Sequence, residues 1–346
     1  MQQRTTALML DEGCATMRVV VWLRWLLFLS TFCPLPLHAQ STLTIVVGTA
    51  PAAGPDIYSR LIAPYLTKHL PSHPTIIVQN MPGVSGLKAA EYLYKIARQD
   101  GSVLGSFTTS VYSDAVMRET NGYDYSQFGI VGTASITTFF CATYGVSAIR
   151  TFQQARQEPL IMGATSAEGP PYMYAHMVNR TAKTKFTIVP GYRGTPDVLL
   201  AMQRHEVDGM CWDWASAKSQ KPDWIVEGKL HAFVQIGPIP NAQLDAMGVP
   251  KLAEFISADY KDAVDLITSQ QYFGKPFLLP PNVPRSRLDI LRKAFAETIT
   301  DPELLRAAES AHVDISTVPI SVLHDVTQRF FAVPTSTLQK AKDLTK

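Results

Sequence analysis

From residue 42 onward, short apolar runs and amphipathic stretches follow one another in a fixed rotation of strand, loop and helix. Few architectures accommodate that rotation. Leu43 to Val47 reads as a strand, ended by Gly48 and the loop Thr49 to Gly54. Pro55 and Asp56 suit the first turn of a helix, proline where no donor is needed and a carboxylate near the positive end of the dipole. Ile57, Leu61, Ile62 and Leu66 give that helix its apolar stripe. The unit recurs as Thr75–Val78, the loop Asn80–Gly86 and a helix over Leu87–Arg98, then as Val103–Phe107 with Thr108-Thr109-Ser110 leading into another helix. After a connecting segment come Leu160–Gly163 with Tyr172–Asn179, Phe186–Val189 with Thr195–Arg204, and Val207–Trp212 ending at Asp213. Such a chain forms parallel sheets covered on both faces. Its two clusters of units, divided near residue 145, predict two α/β lobes. Pro280, Pro281 and Pro284 precede a helix from Arg285 to Thr298, and the tail after it is expected to pack back on the first lobe.

The 346 residues suffice for two domains, and 46% hydrophobic content suffices for their cores. A formal net charge of +2, with no Lys/Arg cluster longer than a pair, leaves no electrostatic footprint for nucleic acid. Any anion must therefore be attracted locally, by a few aimed donors. The N-terminus carries a targeting signal: Met17-Arg18, a run from Val19 to Phe32 that is apolar except for Arg24 and Ser30-Thr31, then Pro34, Pro36 and Leu37-His38-Ala39. This is a signal peptide over residues 1–39, cleaved after Ala39, with Met17 the better start. Export to the periplasm follows. Cys141 and Cys211 remain in the mature chain. They could pair in an oxidising compartment, or stand as buried thiols on separate strands; the second reading is preferred.

In open parallel sheets, ligands sit outside the carboxyl ends of the strands, where helix starts offer free N–H groups and partial positive charge. Five loops at such positions are loaded with small or polar residues: Thr49–Gly54, Asn80–Gly86, Thr108–Ser110, Ala164–Pro170 and Tyr192–Pro196. Each alone is ordinary turn chemistry, and the signal lies in the repetition. Enzyme motifs fail. Gly83-Val84-Ser85-Gly86 would need glycine at Leu87 to make a nucleophile elbow, so Ser85 is read as a ligand donor or a helix cap. His69, His73, His176 and His205 show no metal-ligand spacing, and no phosphate-binding glycine loop is present. The sequence implies no metal and no cofactor. Asp213, between Trp212 and Trp214, could meet a ligand amine or hydroxyl, or cap the segment from Ala215. The two tryptophans could stack on an aromatic acid; packing inside the lobe is preferred.

Several segments, taken in order, carry a resemblance. They are Val47–Asp56 followed by Ser59-Arg60-Leu61, Gln79–Gly86, and Gln99-Asp100-Gly101 with its following strand. Gly163–Gly169 with His176, Tyr192–Pro196 with Val207-Asp208 and Asp213, and Phe277–Pro284 complete the set. Over nearly the whole mature chain they resemble the substrate-binding proteins of tripartite tricarboxylate transporters, the Bug or TctC-like proteins. The resemblance implies a type II periplasmic-binding-protein fold, two α/β lobes around a ligand cleft joined by crossing strands. Residues 40–145 with 272–346 would form lobe I, and residues 146–271 lobe II. It also implies a monomeric, non-enzymatic receptor holding a carboxylate largely through backbone groups and water. That receptor would deliver its ligand to a membrane permease, or contact a membrane histidine kinase as a sensor. An exported α/β hydrolase is the rival of a different class, and it lacks a recognisable nucleophile and base.

The expected binding residues are Thr49, Ala52, Ser85, Gly86, Thr109, Ser166, Thr195 and Asp213. Asp213→Ala is expected to weaken binding and leave folding intact. This chain departs from the family pattern at Ala53-Gly54, where paired glycines are usual, at Trp214 in place of asparagine, and at Gln203-Arg204-His205. The ligand therefore stays open among dicarboxylates, tricarboxylates, acidic amino acids and aromatic acids.

Overall fold

The computed structural model describes residues 42–345 apart from 110, 113, 115–122, 168 and 317, and apart from the side chain of Ser85. The signal-peptide segment 1–39 lies outside the described residues, as does most of the helix expected after Thr109, of which Val111, Tyr112 and Asp114 are described as helical.

Two five-stranded sheets organise the chain. The first has the order β2-β1-β3-β10-β4 and is built from β1 (Thr42–Val47), β2 (Thr75–Asn80), β3 (Val103–Ser106), β4 (Gly129–Thr133) and β10 (Pro276–Leu279). The second has the order β7-β6-β8-β5-β9, from β5 (Phe139–Tyr144), β6 (Pro159–Gly163), β7 (Lys185–Val189), β8 (Gly209–Asp213) and β9 (Leu230–Ile236). β1, β2 and β3 run parallel, as do β6, β7 and β8, as the rotation requires. The sheets are nevertheless mixed rather than wholly parallel. β10 pairs antiparallel with β3 and β4, and β5 pairs antiparallel with β8 and β9. The physical reason is the crossover: a strand that enters a sheet from the other lobe arrives against the local strand direction.

The chain crosses between sheets at 134–138 and at 270–275. Phe139–Tyr144, placed with the first lobe in the sequence reading, thus stands in the second sheet.

The helices that position the cleft are α1 (Gly54–His69), α2 (Leu87–Lys95), α3 (Phe152–Gln157), α4 (Pro170–Ala182), α5 (Thr195–Gln203) and α6 (Trp214–Gln220). Downstream lie α7 (Pro222–Val226), α8 (Ala242–Ala246), α9 (Lys261–Ser269), α10 (Arg285–Ile299), α11 (Pro302–Ser310), α12 (Ile320–Phe331) and α13 (Thr335–Thr345). α1 buries Tyr58, Ile62 and Leu66 against Leu43, Ile45 and Phe277 of the first sheet, with α10 and α11 beside it. The final helix does not return to the first lobe. α13 packs on α4 and α9 of the second, burying Ala341 and Leu344.

Cys141 and Cys211 sit directly opposite each other on β5 and β8 and are joined by a disulfide across 70 residues of chain. This corrects the preference for free thiols. The parallel reading put no antiparallel partner beside β8, so nothing in the spacing brought the two residues together.

Candidate functional site: a cleft between the lobes

All five small-residue loops converge on one cavity of about 630 Å³. The loops after β1, β2 and β3 form one wall, with Thr49, Pro82 and Thr109 among their residues. Those after β6 and β7 form the other, with Ser166, Pro171 and Thr195. The turn from β8 into α6 adds Trp212, Asp213 and Ser216, and the two crossovers supply Thr137 with Gly274 and Lys275. The two walls approach closely at two places. A side-chain carbon on Gly194 would lie 3.3 Å from Ala50 Cβ, and one on Gly54 would meet Ser216 Oγ and, at 3.1 Å, Lys275 Cε. Only glycine lets the start of α1 approach α6 this closely.

The first loop is held by a buried polar network. Asp56, in the first turn of α1, accepts from the Ala52 amide (2.9 Å), Arg60 Nε (3.0 Å) and Asn80 Nδ2 (2.8 Å). Asn80 Nδ2 also donates to the Thr49 carbonyl (3.0 Å), tying β2 to the loop. Ala52 adopts a left-handed φ of 62°, which the Asp56 hydrogen bond stabilises. Asp56→Ala leaves these donors unmet and is expected to cost about 1–3 kcal/mol while loosening the loop. A lowered urea midpoint together with weaker ligand binding is the expected pair of results.

Asp213 ends β8 opposite Phe139. It caps α6 by accepting from the Ser216 amide (2.9 Å), and its Oδ1 also receives Lys275 Nζ at 3.1 Å. The Lys275 and Asp213 side chains are only 4% and 14% exposed, so this is a desolvated ion pair. Burial works to raise the Asp213 carboxyl, but the Lys275 charge and the Ser216 hydrogen bonds outweigh it and hold it below its ordinary value of 3.8. Asp56 is held down in the same way: burial raises it, and its bonds from Arg60, Ala52 and Asn80 lower it further. A carboxyl depressed by folding contributes stability that is fully present above its unfolded pKa and lost as pH falls through its folded value. Stability from these two groups should therefore hold between pH 7 and 5 and decline below about pH 4, as urea titrations at stepped pH would read.

Of the eight expected binding residues, the structure brings Thr49, Thr109, Ser166, Thr195 and Asp213 into the cavity lining. Ala52 stands exposed at the tip of the first loop. Gly86 lies behind that loop, where a side-chain carbon on Gly48 would come within 2.9 Å of Gly86 Cα. Ser85 falls in a short turn before α2, and its side chain is outside the described set. His176 is on α4 beside Tyr172, with ring centroids 4.4 Å apart, and does not line the cavity. Both tryptophans are buried as expected. Trp214 Nε1 donates to Gln243 at 2.7 Å, while Trp212 also lines the cavity.

The sequence reading missed Thr137 and Lys275. Both sit in crossovers, and Lys275, a lone cation after Phe273-Gly274 and before an apolar strand, was the visible signal. Among the described residues, four that line the cavity carry a buried polar atom with no protein partner: the hydroxyls of Thr49, Thr109 and Thr137 and the indole nitrogen of Trp212. Leaving such groups unpaired is costly, so the cavity is suited to something that pairs them. Among the described residues no group of three His, Cys, Asp or Glu could hold a metal ion, and no helix is long and apolar enough to cross a membrane.

Two mixed sheets, two crossovers and a cleft at the carboxyl ends of the parallel strands define a two-lobed periplasmic-binding-protein fold. Solved structures share it. The periplasmic binding protein BugD is 16% identical, with a TM-score of 0.69, covering 88% of this chain and 97% of that one. The R. palustris protein Rpa4515 with adipate is 17% identical, with a TM-score of 0.68, covering 87% and 97%. MatC from Rhodopseudomonas palustris with bound malate is 18% identical, with a TM-score of 0.66, covering 88% and 99%. No protein-family model matches the sequence, and no curated protein matches it significantly.

Proposed function

We propose that the protein is an extracytoplasmic receptor of the Bug/TctC type that captures a small carboxylate and presents it to a tripartite tricarboxylate transporter permease. The observation that carries this reading is the cleft itself. Loops from six strand ends and both crossovers place unpartnered donors and a buried lysine around one cavity large enough for an organic acid. Fold neighbours solved with adipate and malate support the ligand class. The Cys141–Cys211 bridge supports an oxidising compartment, in keeping with export. Closure of the lobes on the anion would create the surface a permease reads.

A thermal-shift screen of the purified protein against organic acids and amino acids tests this. A ligand that binds only the folded state stabilises it by about 2.7 kcal/mol at a hundred times its dissociation constant. One or a few carboxylates raising the melting temperature is the expected result. A folded, empty protein indifferent to every acid would contradict it.

A further inference from the structure

Among the described residues four charged groups line the cleft, and they divide into two pairs of different character. Arg193 and Asp197 pair at 3.0 Å at the rim, with Arg193 89% exposed. Lys275 and Asp213 pair at the floor and are buried. Asp213 is already engaged by the Ser216 amide and by Lys275. Lys275 has three ammonium donors and gives one to Asp213, with the Tyr58 ring 5.4 Å away. Near it lies the start of the 16-residue helix α1, whose Gly54 amide stands in the unpaired first turn. Thr137 and Trp212, both at least nine-tenths buried, add a hydroxyl and an indole N–H without partners. The floor is thus rich in donors, while its one carboxylate is occupied.

Among the described residues, the helix starts on the opposite wall offer fewer free backbone donors. Pro170 and Pro171 remove the first two donors of α4, the Gly169 amide is bonded to Ser166, and those of Tyr172 and Met173 are bonded to Gly169. At α5, Pro196 lacks a donor, Asp197 and Val198 are bonded to Gly194, and the Asp197 carboxylate lies in the first turn. Beside the polar side chains of Thr165, Ser166, Arg193 and Thr195, this wall and the cleft sides present apolar surface: Pro55, Pro82, Pro171, Pro196, Phe139 and Trp212.

Resting on the receptor reading, we propose that the ligand is a monocarboxylate with an apolar, ring-sized body. Its carboxylate is received by Lys275 Nζ, and Asp213 acts as a positioning residue that holds the ammonium. The cavity of about 630 Å³ suits a body larger than a four-carbon acid. The body lies between the proline-lined walls and Phe139, and Trp212 and Thr137 supply the remaining donors.

The test is a calorimetric titration of the purified protein with benzoate, phenylacetate and phenylpropionate, with their carboxamides, and with malate, succinate and adipate. At least one aryl acid is expected to bind tenfold or more tighter than its amide and than every dicarboxylate. Lys275→Met strands the Asp213 charge and could fail to fold. The double variant Lys275→Met/Asp213→Asn removes both charges and keeps an oxygen for the Ser216 amide. In it the acid-over-amide preference should vanish, with the acid losing tenfold or more relative to its amide, a readout that a merely structural role for Lys275 would not move. Persistence of the preference in the double variant overturns the role of Lys275, and tighter binding of a dicarboxylate overturns the ligand class. If no acid binds the folded protein, the receptor reading itself falls.

Discussion

Asp213→Ala is expected to destabilise the protein by about 3–5 kcal/mol, the cost of stranding a buried charge by removing its partner. Lys275 keeps its ammonium at the cleft floor with a side chain 4% exposed, and Asp213 Oδ1 is its hydrogen-bonded counter-ion. The same substitution removes the cap on the Ser216 amide, which adds to the loss. The sequence weighed a ligand contact against a helix cap for Asp213 and carried the expectation that folding would survive its loss. The structure shows the cap and adds a buried ion pair with Lys275, which makes Asp213 a structural group as well. A urea titration in which the midpoint falls at unchanged slope would read the effect. Lys275→Met/Asp213→Asn should recover most of it, because a buried pair replaced together leaves no orphan charge. A loss below about 1 kcal/mol for Asp213→Ala would place the pair among solvent-screened bridges instead.

Opening the Cys141–Cys211 bridge should cost about 4 kcal/mol, from the chain entropy that a loop of this length regains in the unfolded state. The bridge joins β5, the first strand after the crossover, to β8, the strand that carries Trp212 and Asp213. It therefore staples the second-lobe floor of the cleft across 70 residues of chain. Cys141→Ala/Cys211→Ala, which leaves no reactive thiol at either position, is the clean comparison. Alkylation of the denatured, unreduced protein should leave the peptides containing Cys141 and Cys211 unlabelled. Labelling of both, with no stability lost in the double variant, would contradict the assignment.

Much of the architecture is legible in the residues because βα units carry strong local signals. Leu43–Val47, Thr75–Val78, Leu160–Gly163 and Phe186–Val189 all fall within strands, and proline starts α1, α4 and α5. Crossing strands were expected from the resemblance, but their positions and antiparallel pairing were not legible in the residues. Phe139–Tyr144 is buried on both faces in the middle of its sheet, so it shows no alternation, and Pro276–Leu279 reads as a short apolar run before a proline turn. Their partners are fixed by topology rather than by neighbours in sequence. The same cause hid the disulfide, Thr137 and Lys275, each of which depends on where a crossover lands. Gly86 stays outside the cavity lining for a different reason. Glycine in a strand-end loop signals close backbone approach, and in this chain Gly86 approaches Gly48.

The most direct test of the receptor reading is a crystal structure with the tightest-binding acid from the thermal-shift screen. The expected density lies in the cleft between the loop at Thr49, the hydroxyls of Thr109 and Thr137, and the crossover at Lys275, with the carboxylate at hydrogen-bond distance from the floor. Density for the acid elsewhere on the protein, with the cleft holding only solvent, would contradict it.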